Sequence, residues 1–239
     1  MTKISTGIKF LDLLLNGGYD KDIITTIYGP SGCGKTNLCL IAAVKVVESG
    51  KRAIFIDTEG GICVERIKQL TKDYESVLKN IVFFNPVNFI EQSEIFETLR
   101  GMVNDSIGMI VVDSISMLYR LELGKSTEVY DVNASLGRQI AYLVEIARRK
   151  KIPVLITNQV YSDFDNRDQV KMVGGDLLKY GSKCLIELRA LGNIEVYRKD
   201  WSVSSRSSEK VLKNLSNQSS TFFLTQLLIL PRKHNFFFH

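Results

Sequence analysis

The chain has 239 residues, 45% of them hydrophobic and 24% charged, ordinary values for a soluble globular protein that buries a substantial core. Its net charge of +5 does not by itself point to nucleic acid, because residues 193–239 hold seven Lys/Arg against three Asp/Glu and carry most of the excess. The two histidines, His234 and His239, lie at the extreme C-terminus, which excludes a Ser-His-Asp triad and the usual histidine zinc sites from the body of the chain.

Four cysteines, Cys33, Cys39, Cys63 and Cys184, form no CxxC pair. The start of the sequence shows no secretory pattern, so free thiols in a cytoplasmic protein are expected. The longest apolar run, near Phe222 to Leu230, falls well short of the roughly 20 residues a membrane helix needs. No membrane role is expected.

In chain order, Ser5 or Thr6 is placed to cap a short helix carrying Ile8, Leu11 and Leu14, which Gly17-Gly18 stops. Apolar, β-rich runs then alternate with longer helical patterns. Strands are predicted at IITTIY (23–28), AIFID (53–57), IVFF (81–84), MIVVD (109–113) and PVLIT (153–157). Helices are predicted at Thr36 to Glu48, near Val64 to Leu70, near Glu91 to Val103 and at Ala134 to Lys150. Near-continuous apolar strands separated by helices predict an α/β fold with a mainly parallel sheet covered on both faces. Functional groups are then expected where the carboxyl ends of the strands open.

GPSGCGKT, Gly29 to Thr36, matches GxxxxGK[ST] between a strand and a helix, the context in which that pattern binds phosphate. Gly29, Gly32 and Gly34 let backbone N–H groups turn inward, with Pro30, Ser31 and Cys33 completing the loop. Lys35 is placed to reach the β- and γ-phosphates of ATP, and Thr36 to offer a hydroxyl to Mg²⁺. Cys33 reads as a small filler. Asp113 ends the MIVVD run, where it can order the same Mg²⁺.

FIDTEGG (55–61) lifts Asp57 and Glu59 out of a buried strand and follows them with two glycines. Either acid could polarise a water for attack on the γ-phosphate. The structural alternative has them cap the next helix or pair with Lys51 or Arg66, and it is the preferred reading for Asp57. In ITNQV (156–160), Asn158 or Gln159 either senses the γ-phosphate or satisfies backbone groups. Residues 161–176 read as a polar loop closed by Gly174-Gly175.

Taken together, ISTGIKFLDLLLNGG, GPSGCGKT, FIDTEGG, the Asp113 strand, YRLE, LGRQ and ITNQV make the chain resemble the RecA/RadA recombinase superfamily, and within it the archaeal RadB type, from about Ile4 to Tyr197. The resemblance implies a RecA-like P-loop ATPase core with ATP and Mg²⁺ as cofactors. It makes Glu59 the activator of the attacking water and Gln159 the coupling between nucleotide and a DNA loop. DNA-contacting loops correspond to about 121–133 and 161–175. It further implies a weak ATP hydrolase that contacts single-stranded or branched DNA with modest affinity. Such a protein assists a RadA-type recombinase or other recombination proteins, has no strand exchange of its own, and forms homo-oligomers in some settings.

Three departures qualify that picture. The sequence opens at the ATPase core, without the preceding domain and linker of full recombinases. Residues 161–175 carry Arg167 and Lys171 against Asp163, Asp165 and Asp168, so phosphate contacts there would be readily lost with salt. From about Asp200 nothing follows the family pattern, and eight serines fall within 202–220. The expected organisation is a core over 1–199 and a divergent, poorly ordered tail over 200–239, arising from a shifted reading frame or a lineage-specific extension. Two readings without a recombinase role stay open: a KaiC-like regulatory ATPase, and a non-hydrolysing ATP-dependent clamp for a protein partner.

Overall fold

The computed structural model describes residues 3–125, 127–162, 170–189, 194–198 and 209–212. Six parallel strands form the body of the main sheet: β3 (Ile24–Gly29), β4 (Arg52–Asp57), β5 (Ile81–Phe84), β6 (Ile107–Asp113), β7 (Val154–Ser162) and β9 (Cys184–Leu188). At one edge β10 (Ile194–Arg198) and β11 (Glu209–Leu212) continue it antiparallel, so the order is β11-β10-β9-β3-β7-β6-β4-β5. A hairpin partner, β8 (Val170–Met172), pairs antiparallel with the far end of β7. The sheet is the expected mainly parallel one.

Alternate side chains of each strand feed two cores. Ile27, Phe55, Val111 and Leu155 face α1 (Lys9–Leu14), α2 (Lys35–Glu48), α3 (Val64–Leu70) and α4 (Tyr74–Asn80). Ile56, Ile110, Val112 and Ile156 face α5 (Phe89–Met102), α6 (Met117–Leu123), α7 (Val129–Lys150) and α8 (Gly175–Gly181). Burial on both faces explains why the central strands are apolar without alternation. Each such side chain, fully buried, contributes about 1.5–3 kcal/mol of transfer free energy. None of the described helices is long and apolar enough to cross a membrane.

The N-terminal segment is closed by polar contacts rather than by the expected Ser5 or Thr6 cap. Ile8 occupies the N-cap of α1, and Asp12, one turn into the helix, accepts from the Thr6 N–H and the Ser5 hydroxyl, both at 2.6 Å. Lys3 bridges to Asp20 at 2.9 Å and thereby joins β1 (Lys3–Ile4) to β2 (Tyr19–Asp20). Gly18, at φ 118°, sits so close to the β1 backbone that an added Cβ would lie 2.1 Å from the Ile4 carbonyl oxygen.

Several boundaries differ from the sequence expectation. Strand β7 runs on to Ser162 instead of stopping at Thr157, because Asn158 and Gln159 pair with the end of β3 and Val160–Ser162 pair with β8. The segment expected as a loop at 161–175 is therefore partly a hairpin; its 163–169 portion lies outside the described residues. The loop expected at 121–133 shortens to the link between α6 and α7, since α7 begins at Val129 rather than Ala134. Helix α4 carried no sequence expectation; its N-cap Asp73 accepts from the Ser76 N–H. Within 200–239, Glu209–Leu212 form β11 and the rest lies outside the described residues.

The Gly18 contact yields a stability prediction. Gly18→Ala should destabilise the protein by more than about 1 kcal/mol, since the left-handed backbone and the Ile4 carbonyl both resist a methyl group. A fall in the urea midpoint at unchanged slope would show it.

Candidate functional site

The carboxyl ends of β3, β7, β6 and β4 come together in register: Gly29 lies opposite Gln159, and Asp57 opposite Asp113. From β3 the chain enters α2 through the glycine loop, with Gly32 at φ 76° and the N-cap Gly34 at φ 97°. These positive angles favour glycine and turn successive N–H groups to one side, the arrangement that makes an anion-binding concavity. Gly34 supplies no side-chain cap, so the first turn of α2 presents its N–H groups and its positive dipole end to that concavity. Pro30 and Ser31 form its exposed rim.

Lys35 is buried, and its ammonium donates to the carbonyls of Gly29 (3.0 Å) and Pro30 (2.8 Å). The charge thus stays within the loop, hydrogen-bonded to groups that a phosphate oxygen can replace. Cys33 Sγ lies 3.8 Å from the ammonium. Burial raises the Cys33 thiol above its ordinary range, against a smaller lowering by Lys35.

Two buried carboxylates stand beside the loop. Asp113 is 2% exposed and accepts from the hydroxyls of Thr157 and Thr36. Burial raises its pKa, the two hydroxyls lower it, and the charges of Glu59 and Asp57 raise it further. Asp57 is spent on the backbone: it accepts from the N–H groups of Glu59 (3.0 Å), Gly60 (2.8 Å) and Ile62 (3.2 Å). Arg66 is engaged with Asn37 and Gln69, and Lys51 with the Asp105 carbonyl. Asp57 therefore forms neither the expected helix cap nor the expected pair with Lys51 or Arg66; its structural role is to build the turn.

That turn leaves Glu59 exposed and aimed across the strand ends, where Gln159 Nε2 donates to its Oε1 at 2.9 Å. Residues 100 apart in the chain are thereby joined. Asn158 does something different: its amide donates inward to the Val173 carbonyl at 2.8 Å and anchors the segment after β8. Sequence reading left Asn158 and Gln159 as alternatives; the alternating geometry of β7 separates them.

The donor set fits a polyphosphate and a hard divalent cation. Lys35 and the glycine-loop N–H groups are donors for anionic oxygen, and Asp113 with Thr36 is an oxygen pair of the kind Mg²⁺ takes. Ser114 Oγ and Asn158 Oδ1 are buried without a hydrogen-bond partner among the described residues. The sequence-level candidates Lys35, Thr36, Asp113, Glu59 and Gln159 therefore gather at one end of the sheet. Sequence reasoning missed Thr157, which shares Asp113, and Thr58, whose hydroxyl donates to the Ser114 carbonyl (2.8 Å) and accepts from its N–H (2.9 Å). The only signal for either was a hydroxyl at the end of an apolar strand.

Comparison with known proteins agrees with this geometry. A family model described as Rad51 matches residues 1–210. The chain is 42% identical over 184 residues to the DNA repair and recombination protein RadB of Methanobrevibacter smithii, covering 74% of this chain and 77% of that protein. It is 46% identical over 180 residues to the protein of the same name from Methanococcus maripaludis, covering 74% and 81%. A crystal structure of the RadB recombinase superposes with a TM-score of 0.67 at 30% identity, covering 88% of this chain and 96% of that one. With motif order, fold and sequence in agreement, the chain belongs to the Rad51 family and to its archaeal RadB-type branch.

Proposed function

We propose that this protein binds Mg·ATP, hydrolyses it slowly, and serves DNA recombination and repair as a DNA-contacting accessory without strand exchange of its own. The observation that carries the reading is the 2.9 Å hydrogen bond from Gln159 to Glu59. It links the turn after β4 to β7, the strand that lies beside β3 and its glycine loop and continues into the β7–β8 hairpin. A group that senses nucleotide and a hairpin that contacts DNA are then one mechanical unit. The names of the relatives, DNA repair and recombination protein RadB, supply the biological setting. Family membership favours it over the regulatory-ATPase alternative.

ATP brings the phosphoanhydride bond, and Mg²⁺ neutralises the charge on its phosphates. The side-chain roles follow from position. Lys35 exchanges the Gly29 and Pro30 carbonyls for phosphate oxygens, while the loop N–H groups of Ser31 to Gly34 hold the remaining charge. Thr36 and Asp113 hold the metal. Glu59 accepts a proton from water at its carboxylate, and Gln159 holds that carboxylate in place through its amide. Glu59 is exposed, so water competes for its lone pairs and the field at the site is weakened. Slow turnover by an isolated protomer follows. A neighbouring protomer or a RadA-type partner covering this surface would raise it.

Two substitutions separate binding from chemistry. Lys35→Ala should abolish binding of a fluorescent ATP analogue. Glu59→Gln should keep that binding and lose hydrolysis by about 10²-fold or more, the usual contribution of a positioned general base. Parent-rate turnover by Glu59→Gln would overturn its assignment.

Cys33 reports occupancy of the same loop. Iodoacetamide should modify exposed Cys63 readily and Cys33 slowly, because burial keeps its thiol protonated. Mg·ATP should slow the Cys33 reaction further and leave Cys63 unchanged, as read by peptide mass spectrometry. Equal labelling of Cys33 with and without Mg·ATP would count against nucleotide in this loop.

A further inference from the structure

The end of the sheet opposite the glycine loop, where the parallel strands begin, has its own chemistry. Among the described residues, the last turn of α7 and the links into β3, β4, β7 and β9 place Arg148, Arg149, Lys150, Lys21, Lys51, Lys151 and Lys183 there. The acids at the matching positions are Glu48 at the end of α2, which pairs with Lys45, Asp22 before β3 and Asp105 before β6. Glu145 is shared by two guanidiniums, Arg100 at 3.3 Å and Arg149 at 3.2 Å, so that trio also remains cationic. The chain before residue 193 is close to neutral overall. Positive charge is therefore segregated to this end rather than spread over the surface.

The helix dipole accounts for only part of this. Arg148, Arg149 and Lys150 end α7, where cations complement the negative pole. Lys21, Lys51, Lys151 and Lys183 lie outside helices. Lys151 even occupies a left-handed position, φ 54°, where glycine is the residue of least cost. Lys51 donates to the Asp105 carbonyl at 2.7 Å, so a purely structural account explains it and the helical cations and leaves Lys21, Lys151 and Lys183 over.

Shape and an aromatic group add a second, independent observation. Two hollows flank the end of α7. One, about 420 Å³, is lined by Arg100, Asp105, Glu145, Arg149 and Lys150 together with apolar side chains. The other is lined by Asp22, Val144, Arg148, Tyr180 and Lys183. Tyr180 on α8 is 79% exposed. A solvent-facing ring between cations, on a positively charged rim, is the arrangement on which unpaired bases stack while the cations follow the phosphates.

We propose that this face is a second, sequence-independent binding surface for single-stranded nucleic acid, with Arg148, Lys150 and Lys183 on phosphates and Tyr180 stacked on a base. It lies at the opposite end of the sheet from the β7–β8 hairpin and does not involve the nucleotide site. The test is accordingly run on the full chain without nucleotide. Anisotropy of a labelled oligothymidylate of about 25 nucleotides, long enough to span the ~4–16 nucleotide sites such surfaces use, is titrated across a range of salt. The parent should bind, with affinity falling steeply as salt rises. The triple variant Arg148→Gln/Lys150→Gln/Lys183→Gln should bind at least about tenfold more weakly, with the slope of log affinity against log salt reduced by about 2, at roughly 0.7 per phosphate contact. A control neutralising Lys9, Lys68 and Lys72, exposed on the α1 and α3 side, should match the parent.

Tyr180→Ala should weaken the single strand by about tenfold, within the range of one stacked base, and leave a duplex of the same length unaffected. Tyr180→Phe should restore the parent affinity. Far-ultraviolet circular dichroism and melting show that each variant is folded; should the triple variant fail, the exposed single change Arg148→Gln is read for a slope reduction of about 0.7. An unchanged affinity and slope in the cation variants, or no binding by the parent chain, would overturn the proposal. Loss of nucleotide binding in Lys35→Ala would leave it standing.

Discussion

Asp57 and Asp113 face each other across neighbouring strands with almost no exposure, 4% and 2%. Two carboxylates side by side in a low-dielectric interior are costly unless each is hydrogen-bonded. The partners they require organise the site. Asp57 gathers three backbone N–H groups and so sets the turn that presents Glu59. Asp113 takes the hydroxyls of Thr157 and Thr36 and ties β6 to β7 and to the first turn of α2. Thr58 bonded to both the N–H and C=O of Ser114 locks the ends of β4 and β6 together. Three strand ends and one helix start are fixed by satisfying two acids. Burial, with the charges of Glu59 and Asp57, still raises the pKa of Asp113, a cost that a divalent cation would offset in the proposed function.

Parallel connectivity explains why the two ends of the molecule differ in charge. Each helix that follows a strand starts near the carboxyl end of the sheet and returns its C-terminus to the other end. Positive poles and N–H groups therefore collect beside the glycine loop, and negative poles beside the strand starts. The first end suits phosphate at the loop and tolerates Asp57, Asp113 and Glu59 around it. The second attracts the arginines and lysine that end α7. One topological fact thus produces an anion-binding loop at one end and part of the cationic surface at the other.

The polar link between α5 and α7 shows how the interior supports the site from behind. Gln92 donates to Gln139 at 2.7 Å, and Gln139 donates to Ser93 at 2.7 Å, all in an otherwise apolar core. Gln92 also points its amide at the Ile115 carbonyl, two residues beyond Asp113. A buried network of this kind fixes the registry of two helices more strictly than apolar packing alone. It thereby limits how far α7, which begins next to the α6 link, can shift relative to the strand that carries Asp113.

Much was determined by sequence alone, where the physics is local. GPSGCGKT specifies its strand–loop–helix geometry because glycine conformations and a helix start lie within eight contiguous residues. Apolar runs such as AIFID and MIVVD specify central strands because both faces are buried. The family likewise follows from contiguous motifs. Tertiary structure decided what depends on distant partners. Tyr161 and Ser162 read as the start of a polar loop, and pairing with Val170–Met172 makes them strand. Asp57 and Glu59, two residues apart, are both open to the water-activating role by residue type, and the sequence only favours a structural role for Asp57. Packing of β4 beside β6 buries the first against backbone N–H groups, and β7 brings Gln159 to the second. Local conformation can be written in a short stretch of chain, whereas a carboxylate's role depends on which dipoles surround it, and those come from other strands.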